Sequence, residues 1–80
     1  MSELSRLRWQ CRRGMKELDQ LLERYLDRCY ERATAQHQAA FRALLELQDP
    51  ELYGYLLGRS APEDESLKAI VGQVRGEPHN

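Results

Sequence analysis

Eighty residues carry 12 Lys+Arg against 13 Asp+Glu, a formal net charge of −1, and 41% of them are hydrophobic. A chain this short buries only about 60% of the surface its unfolded form exposes, enough for one small core and too little for a multi-layer enzyme fold with an enclosed cavity. No apolar run exceeds three residues, against about 20 for a membrane span and about 7 for a signal sequence, so the expectation is a soluble chain that is neither secreted nor inserted in a membrane.

Apolar residues recur at spacings of three and four, and alternation with period two is not sustained, so every element reads as helix and the fold class is all-α. The first helix starts at Ser2 as N-cap, places Leu4, Leu7 and Cys11 on one face and ends by Gly14, with Arg12 and Arg13 at the carbonyl end of its dipole. The second and longest runs from about Met15 to Arg32, with Met15, Leu18, Leu22, Tyr25 and Cys29 as the seam toward a partner helix. Its other side carries Asp19, Glu23, Asp27 and Glu31 at spacings of four, with Arg24, Arg28 and Arg32 interleaved, which reads as a solvated face with weak pairs along the helix.

Thr34 is the next predicted N-cap, and Ala40, Phe41, Leu44, Leu45 and Leu47 form the buried side of a third helix up to about Gln48. Asp49 as N-cap, Pro50 in the first turn and Glu51 at the positive end of the dipole open a fourth, which carries Leu52, Tyr53, Leu56 and Leu57 and stops at Gly58. A fifth opens at Ala61 and Pro62 with Glu63, Asp64 and Glu65 in its first turn, buries Leu67, Ile70, Val71 and Val74, and ends at Gly76. The prediction is a compact five-helix bundle, one domain over residues 1–76, with a frayed tail at 77–80.

Catalysis needs a nucleophile, a base and an orienting group, or paired carboxylates in a dry cleft, and no such set is present. Cys29 and His37 are the only thiol and imidazole close in sequence; the first sits on the core seam and the second in the first turn of another helix. Cys11 and Cys29 form no CxxC pair and His37 and His79 lie far along the chain, so zinc is not expected and both thiols read as free and buried. No GxGxxG or GxxxxGK[ST] loop is present to hold a phosphate. The expected business is binding another macromolecule.

Arg6, Arg8, Arg12, Arg13 and Lys16 crowd the first sixteen residues, opposed only by Glu3, with Trp9 among them. Position 9 lies off the Leu4, Leu7, Cys11 stripe, so the indole either packs over the second helix or stands exposed beside arginines as an interface group. In the segment RRGMKELD, Gly14 marks a sharp corner between helices, with Arg13 at the corner and Glu17 one turn on. Either a glycine cap with a stray ion pair or a notch that admits another backbone fits this pattern.

The string WQCRRGMKELD from Trp9 to Asp19, followed by a long helix and by DPELYGYL from Asp49 to Leu56, closely resembles the bacterial succinate dehydrogenase FAD assembly factor (SdhE) family, related to mitochondrial succinate dehydrogenase assembly factor 2. The likeness spans roughly residues 4–75, and the hallmark R-G-x-x-E is complete in Arg13, Gly14, Met15, Lys16 and Glu17. The resemblance implies a five-helix helper that binds the flavoprotein subunit of succinate dehydrogenase, and often that of fumarate reductase, and promotes covalent attachment of FAD to a histidine there. It implies partner contacts by Arg13, Gly14 and Glu17, completed by Trp9, Arg12, Met15 and Lys16, with FAD carried by the partner and none bound tightly by the helper. Two positions depart from the family pattern: Tyr55 where tryptophan is common, and His37 where glutamate would complete a capping box with Thr34.

With the motif starting by Trp9 there is no room for a mitochondrial presequence, and a monomeric protein of the bacterial cytoplasm is expected. Two other classes compete. One is a small adaptor or antitoxin-like protein with a different protein partner. The other is a nucleic-acid binder that uses Arg6 to Lys16 as a phosphate patch, a reading opposed by the near-zero net charge and by the acids at Glu63, Asp64 and Glu65.

Overall fold

The computed structural model describes residues 2–76; the tail predicted at 77–80 lies outside the described residues. Three of the five helix starts follow oxygen side chains that accept N–H groups a first turn leaves unpaired. Ser2 Oγ accepts from the Ser5 N–H at 3.1 Å and opens α1, Glu3–Gln10. Thr34 Oγ1 accepts from the His37 N–H at 3.1 Å and opens α3, Ala35–Leu45. The remaining helices are α2, Lys16–Arg28, α4, Asp49–Leu56, and α5, Glu65–Arg75, giving five α-helices and no strand among the described residues. No helix among them is long and apolar enough to cross a membrane.

Four boundaries differ from expectation: α3 ends at Leu45 and not near Gln48, leaving Leu47 half-buried in the connection, and each of the other three has a local reason. At Cys29 the backbone leaves the helical region (φ −123°, ψ −34°) and tightens into a 3-10 turn over Tyr30–Arg32. The shorter repeat of that turn rotates Tyr30 into the core and Cys29 out of it, so Cys29 is exposed while Cys11 is buried. The expectation of two buried thiols therefore holds for Cys11 alone. At α5, Pro62 packs inward ahead of the helix, and Asp64 Oδ1 accepts from the Leu67 N–H at 3.1 Å, so the helix starts at Glu65 and not at Ala61. At α4 the N-cap is Gln48, with Asp49 already at the first helical position; the Asp49 carboxylate is engaged elsewhere, as described below.

Phe41 sits at the centre of the core and is fully buried. Tyr25 lies against it with ring centroids 4.7 Å apart and Tyr30 at 5.6 Å, both tilted, a preferred arrangement for aromatic pairs. The Tyr30 hydroxyl donates to Glu3 Oε1 at 2.8 Å and accepts from Arg42 Nη1 at 2.9 Å, tying α1 and α3 to the 3-10 turn. Leu18 and Leu22 of α2, Leu44 of α3, Leu52 of α4 and Ile70 and Val74 of α5 complete the interior. The α5 helix packs on α2, α3 and α4, and α1 on α2 and α3. Arg24, expected on a solvated face, donates from Nη2 to the Val74 carbonyl at 3.0 Å and satisfies the carbonyl end of α5, where Gly76 takes φ +75°.

Burial pushes the Cys11 thiol up from 9.0 to about 12 and raises the Tyr25 and Tyr30 hydroxyls above their ordinary value of 10.0. These acids stay neutral in the folded chain where the unfolded chain would ionise. Stability should therefore be whole below about pH 9 and fall as pH climbs toward about 12, by about 1.4 kcal/mol per unit for Cys11, with the two tyrosines adding to the fall above about pH 10. Urea midpoints at about pH 8 and about pH 10.5 check this, a flat profile being the contrary result. In the native chain at neutral pH a thiol reagent should label Cys29 rapidly and Cys11 only on unfolding.

Candidate functional site

The acids of α2 meet Arg8 of α1 and residues 12–14 of the connection that follows it. Arg8 Nη2 pairs with Asp27 Oδ1, and this contact holds the Asp27 carboxyl below the usual carboxylate range and raises the Arg8 guanidinium. One turn nearer the corner, Arg12 Nε pairs with Glu23 Oε1 at 3.3 Å. At the corner itself Asp19 Oδ1 accepts from the Arg13 main-chain N–H at 2.8 Å and Asp19 Oδ2 from that of Gly14 at 3.2 Å. Three of the four acids expected to face solvent are thus the rungs of a ladder to α1 and the connection after it; Asp27 stays exposed to water as expected, Asp19 and Glu23 are half-buried, and their partners lie across the Gly14 corner and not along α2.

Gly14 turns the chain at φ +83°, a region that an L side chain adopts only with strain of about 1–2 kcal/mol. A Cβ built there would meet nothing within 4 Å. The glycine is therefore required by its backbone angle, and the space above it is open.

Arg13 takes a different course from its neighbours. Its side chain is only 15% exposed and turns inward, donating from Nε to the Gln10 carbonyl at 2.9 Å and from Nη1 to the Leu47 carbonyl at 3.1 Å and Asp49 Oδ1 at 3.0 Å. Its Nη2 donates to the Leu45 carbonyl. These carbonyls lie at the end of α1, the end of α3 and in the α3–α4 connection, where helix geometry leaves acceptors without intrahelical donors.

Around this mostly buried guanidinium all the other candidate residues but Met15 stand outward. Trp9 is 75% exposed and belongs to neither the core nor the α1–α2 seam. It forms one wall of an open cleft of about 470 Å³ whose floor and far wall are Arg13 and the α3–α4 turn from Leu45 to Asp49. Lys16 and Glu17 are exposed at the start of α2, and neither side chain makes a hydrogen bond or ion pair with another described residue. Glu17 sits in the first turn, where the helix dipole favours its charge. Met15, at the N-cap of α2, is half-buried against the core. Among the described residues no group of three or more His, Cys, Asp or Glu side chains is placed to hold a metal.

Residues 5–77 match the family described as flavinator of succinate dehydrogenase. The chain belongs to this family. A protein of Methylococcus capsulatus named FAD assembly factor SdhE is 44% identical over 75 residues, covering 94% of this chain and 90% of that one. Proteins of the same name are similar in Legionella pneumophila, 47% identical with 91% of each chain covered, and in Pseudomonas aeruginosa, 42% identical with 91% of this chain and 87% of that one covered.

Within this flavinator-family chain, the sequence string placed Trp9, Arg12, Arg13, Gly14, Met15, Lys16 and Glu17 together, and the fold gathers them at one corner. It gave no role to Asp19, Glu23 or Asp27, nor to the Asp49 carboxylate beyond a cap. The available signal was mirror-image spacing: arginines four apart at 8 and 12 before the Gly14 turn, and acids four apart at 23 and 27 after it. Because Asp19 fixes two main-chain N–H groups, Asp19→Ala should cost about 1–2 kcal/mol in urea unfolding. Asp27→Ala should stay close to wild type, since its ion pair is exposed to water.

Proposed function

We propose that this chain is an FAD assembly factor that binds the flavoprotein subunit of succinate dehydrogenase, and that of fumarate reductase, through the α1–α2 corner and promotes covalent attachment of FAD to a histidine of that subunit. Its family and the names borne by its relatives support the assembly role. The observation that carries the choice of surface is the contrast at the corner. Arg8, Arg12, Arg13 and Asp19 are committed within the chain, while Trp9, Lys16 and Glu17 have no internal partner and flank the open backbone at Gly14. A large exposed indole beside unpaired charges is what a partner surface desolvates to gain hot-spot energy.

On this reading the chain acts as a monomeric helper in the cytoplasm. The FAD belongs to the partner, and no catalytic set is contributed from this side. Binding energy spent at the corner holds the flavoprotein in the minor arrangement where the histidine and flavin meet in attack geometry. A phosphate-binding patch is less well supported, because three of the five cations it would use, Arg8, Arg12 and Arg13, are already matched inside the fold.

Glu17→Ala separates docking from folding, since the side chain is exposed and holds nothing in the free chain. Stability should stay within about 0.5 kcal/mol of wild type. Flavin fluorescence of the succinate dehydrogenase flavoprotein band on a denaturing gel should rise with the wild-type chain and drop by about tenfold with the variant at limiting concentration. Equal covalent flavin with and without the wild-type chain overturns the assembly-factor reading, and equal flavin for wild type and Glu17→Ala overturns the surface.

A further inference from the structure

The hallmark arginine reads from sequence as a partner contact, yet its side chain has little left to offer a partner. A guanidinium carries five N–H donors. Four are directed at Gln10, Leu45, Leu47 and Asp49. A forked pairing with a partner carboxylate needs two parallel N–H groups on one edge, and every edge is engaged. The acceptors also share a location. Leu45 ends α3, Leu47 lies in the connection, and Asp49 begins α4.

We infer that Arg13 is a positioning residue: with Asp49 it forms a clasp that holds the α3–α4 turn against the α1–α2 corner, so that Trp9 and the turn face each other as one docking surface. This rests on the assembly-factor reading and reassigns Arg13 within it. The two sequence signatures, R-G-x-x-E and D-P, 36 residues apart at their joining contact, become one structural unit. Asp49 explains the coupling. As the first residue of α4 it could serve that helix alone, but its carboxylate oxygen lies 3.0 Å from Arg13 Nη1. Without the clasp the turn carrying Glu46, Leu47 and Gln48 loses its tether, and the cleft beneath Trp9 loses its far wall.

The clasp and a direct contact predict opposite behaviour for Asp49. If Arg13 touched the partner, Asp49→Ala would release the guanidinium and leave docking unchanged or tighter. As a clasp, Asp49→Ala and Arg13→Gln both weaken binding to the flavoprotein subunit, by several-fold and by about tenfold, and the double variant is no worse than Arg13→Gln because both remove the same joint. Asp49→Asn, which keeps an acceptor oxygen in place, should recover most of the loss.

The experiment measures dissociation constants and covalent flavin for these four variants at a temperature below each one's thermal midpoint. It is paired with amide and indole NMR spectra of the free full-length chain. The clasp expects signals of residues 45–49 and the Trp9 indole to shift in both Arg13→Gln and Asp49→Ala. If Arg13→Gln does not fold, the Asp49→Ala and Asp49→Asn pair still decides. Wild-type binding by Asp49→Ala, additive losses in the double variant, or unshifted signals at 45–49 would each overturn the proposal. If the wild-type chain itself fails to bind the flavoprotein, the assembly-factor reading falls, and the spectra of the free chain still accept or reject the clasp.

Discussion

Between the end of α1 and the start of α2 the chain reverses direction within a few residues, and a backbone bent so sharply must still find acceptors for its N–H groups. Asp19, projecting from the first full turn of α2, supplies both oxygens to the N–H groups of Arg13 and Gly14. The left-handed angle at Gly14 makes the bend sterically possible. With the corner fixed, α1 lies antiparallel to α2, Arg8 and Arg12 fall opposite Asp27 and Glu23, and Leu7 and Cys11 reach the core. The Arg13 side chain, aimed away from solvent by the same bend, meets the far side of the bundle at the α3–α4 turn.

Charge in this chain is largely spent on architecture, which makes the exceptions informative. A net charge of −1 hides a basic first helix and an acidic face on the second, and the ladder pairs Arg8 of the one, and Arg12 just beyond it, with Asp27 and Glu23 of the other. What remains outward at the corner is one indole, one ammonium, one carboxylate and a stretch of glycine backbone with nothing above it. An exposed ion pair adds little stability, so the ladder is better understood as setting the angle between helices than as holding the fold together. The packing around Phe41 carries that load. Truncating a residue so completely buried costs about 3–5 kcal/mol, a large part of what a small domain has.

The helices were legible because caps and apolar spacing are local signals. Ser2 and Thr34 behave as their sequence contexts require, and Leu18, Leu22, Ile70 and Val74 fall inside as the spacing demands. Signals that need a second helix were not legible. Four acids at spacing four look alike whether they face water or arginines, and only the turn at Gly14 decides which. Cys29 continues the α2 seam in number but not in space, because the chain changes helix type there and Tyr30 takes the buried position. Pro62 and Asp64 are both acceptable openings for α5, and the hydrogen bond to Leu67 settles on the later one. The corner residues were recognisable as a group from their string. That Arg13 turns inward while Trp9 turns outward depends on carbonyls more than thirty positions away, which no local pattern contains.

On the proposed function the corner, and no other face, meets the flavoprotein. Hydrogen–deuterium exchange of this chain, alone and with the flavoprotein subunit of succinate dehydrogenase, tests it most directly. Slowed exchange should concentrate in residues 9–17 and 45–49, with α5 and the Thr34 end of α3 unchanged. Protection centred on α5 or on the start of α3, with the corner exchanging as in the free chain, would contradict it.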